Sequence, residues 1–289
     1  MDGFIFVNKP AGPSSFAVVK HIRALSGGGP TGHAGTLDPA AEGLLIVAVG
    51  KATRLLEFLP SQPKRYTFAV RFGIETDTLD NQGSVLKDDG RVPSSREIAA
   101  ALPRFVGRTL QEPPRFSALK INGKRAYHRA RNKEAFSLLP REVTIQSLVL
   151  KGFDYDEGAA RFEVSCSSGT YIRALARDIA RSLATVGHAR GIRREAIGPF
   201  TLESTVDFGA IRAPIEAIAV PIRTVFKTGQ CVTIDPTRQK RLAQGMDIAL
   251  PYEGIGENPV FAFDNDDRVI AVLTQKERGT FHPVKVFIS

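Results

Sequence analysis

The apolar positions of this chain switch between a period of two and a period near three and a half. Residues 4–7 form a short apolar run that predicts a buried strand. Phe16, Val19, Ile22 and Leu25 then recur at helical spacing behind Ser14 and Ser15, and either serine can cap the helix they predict. Ser26, three glycines and Pro30 stop it and open a flexible loop. Residues 44–49 read as a strand, and 52–59 as a short helix ended by Pro60. Tyr66, Phe68, Val70 and Phe72 alternate with Thr67, Ala69 and Arg71, a strand with one buried face. Ser94 or Ser95 caps a helix through Ile98, Leu102 and Phe105.

Residues 107–135 are polar, basic and weakly periodic, and no element is assigned to them. Strands resume at 143–153 and 161–165. A helix at 170–183 puts Ile172, Leu175, Ala176 and Ile179 on one face. Short helices broken by Pro214 and Pro221 fill 206–225. A helix at 237–243 and strands at 260–263, 269–274 and 284–288 form a separate β-rich tail. Strands and helices are interspersed irregularly, so the expected class is α+β with a mixed or antiparallel sheet rather than regular βαβ.

Charge divides the chain along the same line. The net charge is +9, yet from residue 226 onward eight Lys and Arg balance eight Asp and Glu. The excess therefore sits in the larger part, and it favours a polyanionic partner. It is densest at Arg104, Arg108, Arg115, Lys120, Lys124, Arg125, Arg129, Arg131 and Lys133, against the single acid Glu112. Tyr127 and His128 add stacking surfaces there. Such a strip suits phosphate contacts that position a nucleic acid.

Other chemistry is scarce. The five histidines and two cysteines form no metal-ligand pattern, so no metal is expected. Cys166 and Cys231 are far apart, which fits a reducing cytoplasm. No secretion signal is read at the N-terminus, and the longest apolar run is too short to span a membrane. Asp38 stands out because Gly32, Gly35 and Gly43 flank it and Pro39 follows it. A carboxylate in such a loop can act as a nucleophile or base, or simply bond its own backbone in a turn. Local features alone favour the turn.

Longer motifs change that balance. The run from Gly29 through Thr31-Gly32-His33-Ala34-Gly35-Thr36-Leu37-Asp38-Pro39 to Leu45 resembles the signature of the bacterial tRNA pseudouridine-55 synthases, the TruB-type family. The opening Val7-Asn8-Lys9-Pro10-Ala11-Gly12 resembles their start. Lys64-Arg65-Tyr66, Thr76-Asp77-Thr78-Leu79-Asp80, Pro114-Arg115-Phe116-Ser117-Ala118-Leu119-Lys120 and Ser168-Gly169-Thr170-Tyr171-Ile172-Arg173 follow in order. The match is strong over residues 3–225 and weaker over the tail. It implies a catalytic domain at 1–226, with an RNA-gripping insertion near 104–135, and a PUA-like domain at 227–289.

By that resemblance Asp38 attacks the target nucleoside, Tyr66 stacks on the flipped base, and Arg173 holds the Asp38 carboxylate. His33 contacts RNA beside the flipped nucleotide. Ile192 packs near the pocket, where the family usually has leucine. Phe116 replaces a frequent tyrosine, losing its hydroxyl. Lys64, Arg65, Arg115, Lys120, Lys124, Arg125 and Arg129 are expected to contact RNA. The implied reaction breaks the glycosidic bond of uridine, turns the uracil and rejoins it through C5, with no cofactor. The implied partner is the T arm of tRNA, with no guide RNA and no membrane, and a monomer is the simplest state. Two rivals remain: the guide-RNA-dependent relative that shares the core, and an RNA-binding or tRNA-folding chaperone.

Overall fold

A computed structural model describes residues 1–59, 63–121, 123–132, 134–226, 231–251 and 259–288. The side chains of Lys120 and Arg125 lie outside the description, as do Pro60, Lys133 and the boundary segment 227–230.

Strand β1 (Gly3–Lys9) leads into helix α1 (Ser15–Leu25), whose first turn is capped by the Ser14 hydroxyl accepting from the Ala17 N–H. Strands β2 (Thr31–Ala34) and β3 (Glu42–Val49) follow, then a 3₁₀ helix at Gly50–Phe58. Next come β4 (Lys64–Phe72), α2 (Ser95–Ala101), β5 (Gly107–Gln111), β6 (Arg141–Asp154), β7 (Ala159–Cys166), α3 (Ile172–Ser182) and β8 (Gly187–Ile197). Among the described residues they build one large mixed sheet in the order β1-β3-β8-β4-β7-β6-β5, with Val206–Asp207 outside β1 and β2 paired to β3.

Burial explains the sequence patterns. On β3, Leu45, Val47 and Val49 face one core while Leu44, Ile46 and Ala48 face another, so the strand is apolar throughout. On β4 only the face carrying Tyr66, Phe68, Val70 and Phe72 is buried, and Arg65 and Arg71 fall on the other. Ser94 and Glu97 form a reciprocal capping box that starts α2.

Among the elements that differ from the sequence expectation, three strands lie in the large sheet near the Asp38 loop or at its edge. The central strand β8 is absent from it, because Gly187–Ile197 carries arginines and a glutamate instead of alternating apolar residues. Its polar side chains face solvent on one side and the site on the other. Strand β2 lies within a stretch legible only as motif. Residues 107–111, assigned to no element, are the edge strand β5, paired with β6. Of the basic residues in this region, Arg108 thus lies on the sheet and Arg104 on the 3₁₀ helix Leu102–Phe105 before it.

Among the described residues, those of the C-terminal region form a separate five-stranded sheet, including Val260–Phe263, Val269–Glu277 and Thr280–Val286. One cluster of buried side chains is common to both sheets. It holds Phe4, Ile46 and Leu55 with Phe226, Phe261, Phe263 and Phe287.

Candidate active site

The Asp38 loop spans β2 to β3 and is held from three sides. The buried Ser15 hydroxyl donates to the Leu37 carbonyl at 2.8 Å and accepts from the Leu37 N–H at 2.9 Å. The Gly12 N–H donates to the Pro39 carbonyl at 2.8 Å. Lys9, fully buried, donates to the carbonyls of Pro10 and Pro13 at 2.8 and 2.9 Å, and reaches that of Pro39 at 3.5 Å. Burial pushes the Lys9 ammonium down to about 8, against the attraction of Asp38 and Glu42.

Opposite the loop stands Arg173, on the first turn of α3 and 5% exposed at its side chain. Its Nη2 lies 2.7 Å from Asp38 Oδ2 and donates to the Phe116 carbonyl at 2.9 Å. Nη1 donates to the Thr78 carbonyl at 2.7 Å, and Nε faces Asp80 Oδ2 at 3.7 Å. Asp80 is itself fixed by the Thr78 hydroxyl at 2.6 Å and the Gln82 N–H at 3.0 Å. Leu79 between them takes φ +60°, a left-handed angle uncommon for a leucine, in the turn that carries both acceptors to the guanidinium. Asp38 remains 42% exposed at the mouth.

Between these elements lies a cavity of about 300 Å³, lined by Asp38, Lys64, Tyr66, Tyr171, Arg173, Ile192 and Arg194, among others. That size is at the lower end of the usual range for small-ligand sites. Burial raises the Tyr66 and Tyr171 phenols above their ordinary values, so both are neutral hydrogen-bonding groups near pH 7. Burial and the neighbouring Arg194 push Lys64 down to about 8.

The structure thus brings together Asp38, Tyr66, Arg173, Ile192 and Lys64, which are scattered over the sequence. His33 lies on β2 behind the loop, half-buried, with its protonation disfavoured by burial and by Arg194. It is not part of the cavity wall. Arg65 is placed elsewhere: the alternation of β4 puts it on the opposite face from Lys64 and Tyr66, exposed and away from the cavity.

The family motifs pass over Arg194. This side chain is 1% exposed, donating to the carbonyls of Leu44 at 2.8 Å and Gly35 at 3.0 Å. It therefore ties β8 to both ends of the Asp38 loop. Gly43 makes the approach possible: at φ +102°, a Cβ there would lie 2.3 Å from the Arg194 carbonyl oxygen. The only signal in the sequence is the closeness of Arg194 to Ile192 in a polar stretch. Lys9 and Asp80 lie within the motifs, but nothing local distinguishes them.

Beyond Ser117 and Ala118 at the cavity wall, the insertion forms a hairpin of Lys120–Ile121 and Lys124–Arg125, then a helix at Ala126–Arg131. Its cations are less free than the sequence suggests. Arg129 pairs with Glu134 at 2.7 Å, and Arg115 donates to the Glu134 carbonyl at 2.8 Å while lying over the Phe136 ring. Glu134 lies one residue past the basic run that ends at Lys133. Among the described residues no group of His, Cys, Asp and Glu could hold a metal ion, and no helix is long and apolar enough to cross a membrane.

Residues 23–172 match the family model described as TruB family pseudouridylate synthase, N terminal domain. The chain is similar to tRNA pseudouridine synthase B of Dehalococcoides mccartyi, 35% identical with 100% of this chain and 97% of the relative covered. It is similar to the protein of the same name from Thermobifida fusca, 39% identical with 99% and 98% covered. Its fold is that of a chain in an H/ACA ribonucleoprotein bound to a substrate RNA containing 2′-deoxyuridine. That match has a TM-score of 0.71 at 23% identity and covers 99% of this chain and 85% of that one. With its family model spanning more than half the chain and its relatives matched over nearly their whole length, this protein belongs to the TruB family of pseudouridylate synthases.

Proposed function

We propose that the chain isomerises uridine to pseudouridine at position 55 in the T arm of tRNA, with Asp38 as the reacting carboxylate. The observation that carries this reading is the pairing of a half-exposed Asp38 with a buried Arg173 at the mouth of a cavity walled by Tyr66 and Ile192. In the reaction the N1–C1′ bond breaks, the uracil turns, and a C5–C1′ bond forms. A proton leaves C5 and one is gained at N1, so the change is redox-neutral. Asp38 either adds to C1′ or takes a ribose proton, and both routes place the carboxylate at the sugar while the base lies against Tyr66. Arg173 holds that carboxylate in place without closing the cavity.

Reaching the bond requires extruding the nucleotide, at a cost of a few kcal/mol. Stacking on Tyr66 contributes about 1–3 kcal/mol. Phosphate contacts from Arg115, Lys120, Lys124, Arg125 and Arg129 supply the remainder. His33 touches RNA next to the flipped nucleotide. Residues 1–226 act as the catalytic unit and 227–289 as a PUA-like module, in keeping with the second sheet and the balanced charge of that region. The enzyme works on tRNA in the cytoplasm as a monomer and without a guide RNA. The tRNA substrate and the independence from a guide RNA are supported by relatives named tRNA pseudouridine synthase B at 35–39% identity, against 23% for the ribonucleoprotein chain.

The test is to incubate the protein with an unmodified tRNA transcript, with no other protein or RNA, and map pseudouridine by position. Modification at position 55 is expected. Modification only elsewhere, or only after a guide RNA is added, would overturn the reading.

A further inference from the structure

The end of β5 is tied to the start of α3 by side chains whose partners are backbone atoms. Gln111, 4% exposed, accepts from the Tyr171 N–H through Oε1 at 2.8 Å and donates through Nε2 to the Tyr171 carbonyl at 3.2 Å. This two-way pairing copies one rung of an antiparallel ladder with a side-chain amide. One residue on, Arg177 of α3 donates to the Glu112 carbonyl at 2.9 Å. Tyr171 is the N-cap of α3 and lacks a side-chain cap of its own, and Arg173 follows two residues later.

We propose that Gln111 is a positioning residue for the isomerisation. By pinning the Tyr171 backbone it sets the height and rotation of the first turn of α3, which places the Arg173 guanidinium on Asp38. The inference rests on the function proposed above. The chemistry at position 111 is demanding. Glutamate keeps the acceptor but sets an oxygen against the Tyr171 carbonyl, and a methionine of similar shape keeps neither bond. The same strap continues to Phe116, whose carbonyl shares Arg173 Nη2 with Asp38, and then to the hairpin at Lys120–Ile121. The RNA-gripping insertion and the Asp38–Arg173 pair are therefore registered against one helix end. A misplacement of about 1 Å at such a pair can slow a reaction about a hundredfold.

The test compares wild type, Q111M and Q111E in three measurements: single-turnover rate at saturating tRNA, Kd for tRNA, and thermal midpoint. For Q111M the rate falls about tenfold or more while Kd stays within about twofold. Q111E also slows the reaction at unchanged Kd, because the bond to the Tyr171 carbonyl is replaced by an oxygen–oxygen contact. An unchanged rate in folded Q111M, or a loss confined to Kd, would overturn the proposal. If Q111M does not fold, Q111E decides: a rate loss of about threefold or more at unchanged Kd supports it, and a wild-type rate refutes it. A wild-type protein that forms no pseudouridine removes the functional reading and this inference with it. Wild-type activity with an indifferent Gln111 removes the inference alone.

Discussion

Arg173 meets Asp38 at 2.7 Å across a steep change of environment, from a side chain 5% exposed to one 42% exposed. The arginine is anchored inside by two carbonyls and Asp80, so it presents a fixed cation to a carboxylate that still faces the solvent. For Asp38→Asn, pseudouridine formation should be abolished while tRNA affinity stays within about threefold, since the amide keeps the size of the side chain and the phosphate contacts are untouched. Residual isomerisation measured by position mapping would show that another group reacts.

Arg173→Met should cost both activity and stability. It takes a cation from the buried Asp80 carboxylate and a donor from the Thr78 carbonyl, a loss of about 3 kcal/mol by comparison with other broken buried pairs. Denaturant unfolding measures it. A loss under about 1 kcal/mol would mean that Asp80 finds a new partner.

Gly43→Ala tests the approach of β8 to the loop. The added Cβ meets backbone, not a flexible side chain, and the residue must hold φ +102°. A destabilisation of about 2–3 kcal/mol is expected, again by denaturant unfolding, with the larger share of any activity loss following from displacement of Arg194. Wild-type stability would show that the strands can move apart.

Lys64 makes stability depend on pH. Burial holds its ammonium at about 8, below the ordinary 10.5, so between these values the unfolded chain binds the proton and the folded one does not. Folding stability from this group therefore rises with pH across that window, and the penalty is complete once the pH has fallen below about 8. In Lys64→Met this dependence disappears. Unfolding free energies at pH 7, 8.5 and 10 should show wild type gaining on the variant, and parallel curves would contradict the assignment.

The insertion makes a prediction about salt. Lys124→Ala combined with Arg129→Ala should weaken tRNA binding and make the slope of log K against log salt shallower by about 1–2. Because Arg129 already pairs with Glu134, most of the change should come from Lys124. An unchanged slope would mean that neither side chain contacts phosphate.

The sequence carried the elements whose periodicity reflects a single buried face, such as β4, or two, such as β3. It did not carry β8, because His188, Arg190 and Arg193 share the face of Arg71, Arg194 shares that of Tyr66, and the register shifts between Arg190 and Arg193, so the strand has no apolar rhythm. Asp38, Tyr66 and Arg173 were legible through ordered motifs, not through local chemistry. Arg194 and Gln111 were not, since their roles consist of bonds to backbone atoms more than fifty residues away. Arg65 shows the converse: motif membership places a residue in a strand, but the pleat decides which face it serves.

The cluster of side chains common to the two sheets bears on how the protein can be cut. Phe226 stacks on Phe261 with ring centroids 4.0 Å apart, Phe58 meets Phe261 edge-on, and Arg54 lies over Phe287. A chain ended at residue 226 would leave this greasy seam open to water on the larger piece. Such a fragment should self-associate on expression, and isolating the larger piece would call for polar replacements at Phe58 and Phe226 before its activity could be read.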